Sequence, residues 1–139
     1  MGTRRKARES ALQCLYQIEI SRDEPEEALR LFWAERPADA GVREYADGLV
    51  RGTRARKAEI DRLLARCAKN WTLQRMAAVD RNILRMAVYE MRFSAGTPPV
   101  VIINEAVEIA KKYSTPDSGA FVNGILDRIH KGPPDDEGA

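Results

Sequence analysis

The sequence is poor in the residues from which catalytic and metal centres are built. Among 139 residues there is one histidine, His130, and there are two cysteines, Cys14 and Cys67. The cysteines lie far apart in helical patterns with no close Cys/His spacing, which argues against a zinc site but leaves a disulfide open. Neither a G-x-x-x-x-G-K-[ST] nor a G-x-G-x-x-G phosphate loop is present. The pair Glu105 and Glu108 is better explained as solvated carboxylates, so we expect neither an enzyme nor a cofactor.

Long apolar runs and alternating patterns are also missing. No stretch approaches the ~18 apolar residues of a membrane span, and the charged opening lacks the apolar run of a signal peptide. We therefore expect no membrane contact and a reducing, cytoplasmic compartment. Because no segment alternates with a period of two, no strand is predicted. The length suits one domain with a hydrophobic core and is short for two.

Apolar residues instead recur at helical spacing along most of the chain, which predicts an all-α fold of about seven helices. Residues 1–131 are predicted to form one domain, and the Gly/Pro-rich, acidic residues 132–139 a disordered tail. Asn70–Thr72 is predicted to be a turn, and the fifth helix is expected to be central because it is apolar around much of its circumference. The predicted helices are Thr3–Ile20, Glu26–Glu35, Val42–Thr53, Lys57–Lys69, Leu73–Phe93, the proline pair at 98–99 to Tyr113, and Ser118–His130.

The opening helix combines a buried stripe with a basic face. Ala7, Ala11, Cys14, Leu15 and Ile18 share one side and are predicted to attach the helix to the core. A solvated, frayed terminus would explain the charges, but positive charge at a helix N-terminus opposes the macrodipole, which favours a binding role. Arginine can grip phosphates and tyrosine can stack on bases. The candidate binding residues here are Arg4, Arg5, Lys6, Arg8, Gln13 and Tyr16.

Two further features lie in the second half of the chain. Phe121 is at the edge of an apolar stripe, so it is either a residue at the rim of the core or a partly exposed ring beside the Asp117–Ser118 helix cap. Asp80 falls within the apolar stripe of the fifth helix. A carboxylate there is either buried and paired, or it faces a partner.

Three stretches together resemble one family. They are RKARESALQCLY at 5–16, WTLQRMAAVDRNILRMAVYEM at 71–91, and INEAVEIAKKYSTPDSGAFVNGILD at 103–127. They resemble the NusB family of bacterial transcription antitermination factors. The likeness covers nearly the whole chain except residues 21–41 and the tail. Because the chain ends before the methyltransferase domain that some NusB-like proteins carry, we expect the stand-alone form.

The resemblance implies an all-helical protein of two packed helical subdomains. It implies binding to boxA RNA of ribosomal leader transcripts together with NusE, a small-subunit ribosomal protein that doubles as a transcription factor, so that RNA polymerase reads through terminators. Family members occur as monomers or homodimers. The implied RNA contacts are Arg4, Arg5, Lys6, Arg8, Tyr16, Asp117, Ser118 and Phe121, and the implied NusE contacts are Asp80 and Arg81.

We therefore predict a non-catalytic factor that holds phosphates with the basic opening helix and unpaired bases near Tyr16 and Phe121. The alternative is a protein-interaction scaffold whose basic helix binds an acidic protein partner.

Overall fold

The computed structural model describes residues 2–68 and 72–132, and in those ranges every element of regular secondary structure is a helix, as the sequence predicted. The predicted turn at Asn70–Thr72 and the predicted tail at 132–139 fall mostly outside these ranges, which include only Thr72 and Gly132 of the two segments. The elements are α1 (Thr3–Ser21), α2 (Pro25–Glu35), α3 (Ala40–Ala55), α4 (Lys57–Cys67), a 3₁₀ turn (Leu73–Arg75), α5 (Ala78–Phe93), α6 (Pro99–Tyr113) and α7 (Ser118–Lys131).

The chain divides into two compact units, Met1–Ala55 and Arg56–Ala139, here called the N-terminal and C-terminal units. In the N-terminal unit, α1 packs against α2 and α3. In the C-terminal unit, α5 packs against α4, α6 and α7. No helix within the described part of the chain is both long and apolar enough to cross a membrane.

The predicted apolar stripe of α1 is the inner face of that helix. Ala7, Ala11, Cys14, Leu15 and Ile18 are all buried. The helix ends after Ser21 because the next residue has a positive φ of 64°, and its N–H bonds back to the carbonyl of residue 18. One side of α1 is thus fixed in the core, so the opposite side forms a rigid surface.

The predicted central helix of the C-terminal unit is α5. It is buried on most of its circumference, and even Arg85 is inside, where its guanidinium makes two bonds of 2.8 and 3.1 Å to Asp61. A bidentate arrangement of this kind compensates the burial of both charges.

The start of α5 differs from the prediction. The segment predicted as one helix from Leu73 forms a 3₁₀ turn, continues through extended Met76 and Ala77, and begins the α-helix at Ala78. A side chain of the helix itself stabilises this turn, since Nη1 of Arg81 donates to the carbonyls of Leu73 and Met76 at 2.9 Å each. Backbone carbonyls that would otherwise accept helical bonds are satisfied by this side chain.

Candidate functional site

The outer face of α1 carries the predicted basic surface. Arg4, Lys6, Gln13 and Tyr16 are exposed, and Arg5 is half-buried. Tyr16 is 40% exposed, which is high for a large aromatic side chain on a helix whose other face is core. Cationic groups, an amide and a flat ring are therefore presented together on one helix of the N-terminal unit.

Two arginines of this helix converge on a single ring. The guanidinium carbon of Arg4 lies 3.8 Å from the centre of the Tyr45 ring on α3, and that of Arg8 lies 5.7 Å from it. Such contacts hold a cation over the negative face of an aromatic ring. Arg4 is thereby oriented while its side chain remains exposed.

Arg8 is not part of the exposed cationic surface to which it was predicted to belong. It is only 4% exposed. Position 8 lies one turn before Leu12 and two turns before Leu15, both buried, so it belongs to the edge of the inner stripe. The exposed charge of the α1 face consequently comes from Arg4 and Lys6, with half-buried Arg5 between them.

A cavity of about 370 Å³, which the sequence did not predict, adjoins this face of α1. Lys6, Gln13 and Ser10 of α1 line one side, and the α2–α3 loop with Asp39 lines the other. Pro37 marks this loop in the sequence, but nothing in the sequence places it against α1. Glu9 and Asp39 also line this cavity, so its lining includes acidic as well as basic side chains.

The second predicted group gathers at the start of α7 in the C-terminal unit. Asp117 occupies the N-cap position, is exposed, and makes no capping bond through its side chain. Phe121, one turn later, is half-buried, between the two alternatives left by the sequence. Ser118 is buried, and its hydroxyl is the centre of a polar cluster.

This polar cluster joins α7 to α5. The Ser118 Oγ lies 3.0 Å from Asp80 Oδ2, 2.9 Å from Ser114 Oγ and 3.0 Å from Thr115 Oγ1. A hydroxyl has one proton and a carboxylate only accepts, so Ser118 donates to Asp80 and accepts from Ser114. The N–H of Thr115 also reaches Ser118 Oγ at 3.3 Å.

Asp80 is therefore buried and paired, the first of the two alternatives, but through only one of its oxygens. It is 8% exposed, and its Oδ1 has no hydrogen-bond partner among the described residues. Asp80 lines a cavity of about 340 Å³ together with Asp117, Ser118 and Phe121. The fold thus brings Asp80, which the resemblance assigned to a protein contact, into the same cavity as the residues it assigned to RNA.

Arg81 is the remaining residue assigned to a partner. Its guanidinium holds the turn before α5 through the two carbonyl bonds described above, and its side chain is half-buried. The side chain therefore has a structural task, which the sequence pattern did not reveal.

The two groups of candidate residues belong to different units, α1 to the N-terminal unit and the Asp80 cavity to the C-terminal unit. Within the described ranges, no three His, Cys, Asp or Glu side chains are grouped so as to hold a metal ion. Cys14 and Cys67 are both buried and neither forms a disulfide. Burial, reinforced by Asp47 and opposed by Arg36, raises the pKa of the Cys14 thiol to about 11. The thiol is consequently neutral and poorly nucleophilic near pH 7.

The amino-acid sequence was compared with those of known proteins, and it has clear relatives. Residues 5–131 match the sequence model of the NusB family. The transcription antitermination protein NusB of Desulforapulum autotrophicum is 48% identical over 131 residues, which cover 93% of this chain and 92% of that protein.

Solved structures give the same result in three dimensions. NusB of T. maritima superposes with a TM-score of 0.84 at 40% identity, covering 96% of this chain and 94% of that one. A chain in a crystal structure of the antitermination factors NusB and NusE in complex with dsRNA superposes with a TM-score of 0.84 at 31% identity, covering 94% of this chain and 98% of that chain. These matches extend over both units.

Proposed function

Because the chain belongs to the NusB family, we propose that it is a transcription antitermination factor that binds RNA together with a protein of the NusE type. The more specific form of the proposal is binding to boxA elements of ribosomal leader transcripts, so that RNA polymerase continues through terminators. Two relatives support the proposal. The relative that is 48% identical is a transcription antitermination protein, and another related chain was crystallised with NusE and dsRNA.

The observation that carries the proposal is the oriented cationic face of α1. Arg4 is held 3.8 Å above the Tyr45 ring, and Lys6, two residues further along α1, is exposed. The buried stripe from Ala7 to Ile18 fixes the helix that carries them. Because the cations are mounted on a rigid element, less side-chain freedom is lost when they contact phosphates.

The bases of the RNA are proposed to contact the aromatic and amide groups. Tyr16 offers an exposed ring in the N-terminal unit, and Phe121 a half-buried ring in the C-terminal unit. Rings of this kind stack on bases that are unpaired, whereas the deep groove of an A-form helix hides base edges. We therefore propose that the protein recognises unpaired bases. Because the related complex contains dsRNA, binding to a duplex is the relevant comparison.

The protein partner is proposed to meet the first turns of α5. Arg81 is half-buried there, whereas Asp80 has only 8% of its surface exposed and offers a partner protein little area. The proposed protein contact therefore falls on the surroundings of Arg81, with Asp80 behind it in the cavity.

A binding assay tests the proposal. The intact protein is titrated into labelled boxA RNA, a scrambled RNA of the same composition, and a duplex of the same length, each with and without NusE. We expect boxA to bind more tightly than the other two, and NusE to increase that preference. Equal affinity for all three RNAs would contradict recognition of boxA and of unpaired bases, and capture of acidic proteins without any RNA binding would favour the scaffold function instead.

A further inference from the structure

A smaller cavity, of about 250 Å³, lies between the second half of α1 and α2 in the N-terminal unit and is here called the α1–α2 cavity. Ala28, Leu31 and Phe32 of α2 give it apolar lining, and Gln17 lines it from α1. Sites for small molecules begin at about 300 Å³. Because the α1–α2 cavity is smaller, it suits one inserted side chain better than a small-molecule ligand.

Acidic side chains determine the charge of this cavity. Asp23 and Glu35 line it, and neither forms an ion pair with another residue in the part of the chain that the structure describes. The lining also contains the guanidinium of Arg36, whose central carbon lies 4.5 Å from the centre of the Phe32 ring. Two carboxylates and one guanidinium leave the lining negative. An inserted cation is therefore attracted, whereas an anion is repelled.

Two large apolar side chains are exposed beside the α1–α2 cavity. Ile20 is 65% exposed, and it is a surface neighbour of Gln17, which lies three residues earlier on α1. Leu31, which lines the cavity, is 45% exposed. A single exposed apolar residue is common on protein surfaces. Two of them at the edge of one charged cavity combine apolar contact area with a pocket for an anchoring side chain, as protein interfaces do.

We propose that the α1–α2 cavity receives a lysine or arginine side chain from an amphipathic helix of a protein partner, and that apolar residues of this helix cover Ile20 and Leu31. Grooves between helices commonly bind such a helix. The stem of a long basic side chain can pack on Phe32 while its charged end meets the carboxylates. RNA does not fit, because Asp23 and Glu35 repel phosphates. The inference goes beyond the proposed function, since it adds a protein-binding surface to the N-terminal unit.

Two synthetic peptides of about 20 residues, long enough to form helix alone, serve as probes. Both have leucines along one face. One has lysines beside the leucines, and the other has glutamates at the same positions. Fluorescence anisotropy with the full chain measures the dissociation constant of each peptide. We expect the lysine peptide to bind about tenfold more tightly or better, because close charge pairs across an interface are strongly coupled.

Matched variants test which carboxylate is responsible. Glu35→Lys should abolish or reverse the preference for the lysine peptide. Glu44→Lys changes the net charge equally at an exposed glutamate of the same unit that does not line the cavity, so the preference should remain. Leu31→Gln should weaken binding of the lysine peptide by removing apolar contact. Circular dichroism should show that all three variants are folded, because each of these side chains is exposed.

Backbone amide chemical shifts locate the bound peptide. The lysine peptide should shift the amides of residues 17–36 and leave those of residues 4–10 unchanged. Failure of the lysine peptide to bind, equal affinity for both peptides, or equal effects of Glu35→Lys and Glu44→Lys would overturn the proposal.

Two further results would also contradict it. Shifts confined to the first half of α1 would place the peptide at Glu9 and Asp39, which line the other cavity of this unit. Analytical ultracentrifugation of the protein alone tests for a second copy. A dimer that Leu31→Gln dissociates would show that another copy of this chain, and not a basic partner, covers the surface.

Discussion

The hydroxyl of Ser118 lies 3.0 Å from Asp80 Oδ2, and this bond joins the first turn of α7 to the first turn of α5 across 38 positions of sequence. Both residues are buried. The bond therefore contributes to the stability of the C-terminal unit.

For stability, we expect Ser118→Ala to lower the free energy of unfolding by about 1–3 kcal/mol, because it leaves a buried carboxylate without its donor. Urea denaturation measures the change. A double-mutant cycle with Asp80→Ala isolates the pair, since the double variant should lose less than the sum of the single losses. Strictly additive losses would show that the two side chains do not interact.

For RNA binding, we expect Arg5→Glu combined with Lys6→Glu to weaken affinity and to make its dependence on salt shallower. Each phosphate contact that is removed reduces the salt slope by about 0.7 for a single strand, so the slope should fall by about 1.4. Circular dichroism should show unchanged helicity, since neither side chain is in the core. Filter binding across a salt series provides the measurement.

The matched control for that experiment is Arg30→Glu combined with Arg51→Glu. These residues are exposed in the same unit, and the combined change in charge is identical. Their ion pairs with glutamates are at the surface, where such pairs contribute little to stability. A control that weakened RNA binding as much as the α1 variant would point to net charge and away from a defined site.

For the aromatic contact, Phe121→Asp should weaken RNA binding by about tenfold or more, because stacking on one base contributes about 1–3 kcal/mol. Phe121→Leu, which keeps the apolar surface and loses only the ring, should give the same direction of change with a smaller loss of stability. Thermal melting accompanies both titrations. A Phe121→Leu variant with normal affinity would assign the ring to packing alone.

For pH dependence, the relevant group is the Cys14 thiol, whose pKa is raised by burial from 9.0 to about 11. Above pH 9 the unfolded chain loses this proton while the native chain keeps it, so stability falls as the pH rises through that window. Between about pH 8 and about pH 10.5, wild type should lose about 2 kcal/mol more than Cys14→Ala. Urea titrations in reducing buffer at both pH values measure this difference, and parallel profiles would contradict it.

The helices could be predicted because their pattern is local. The inner face of α1 and the central position of α5 both follow from apolar residues repeating at helical spacing. The turn before α5 could not be predicted, since no Gly or Pro marks Met76 or Ala77. It depends on a side chain that reaches back to two carbonyls.

The site was predicted in part for the same reason. Residue types identified the cations of α1 and the Asp117–Phe121 cap, but burial of Arg8 beside Tyr45 is a tertiary contact between two helices. The hydrogen bond between Asp80 and Ser118 is also a tertiary contact, and the sequence around either residue does not indicate it. Position along a helix thus predicted which face of α1 is buried, and packing decided which side chains remain accessible.

The hydrogen bonds of Arg81 to Leu73 and Met76 span only eight and five residues of the chain. Closing such short loops costs little conformational entropy. The Met76 wall of the Asp80 cavity is therefore held by a side chain of the helix that follows it. This wall depends on contacts that are close in the sequence, whereas the opposite wall, at Asp117 and Phe121, depends on the packing of α7 against α5.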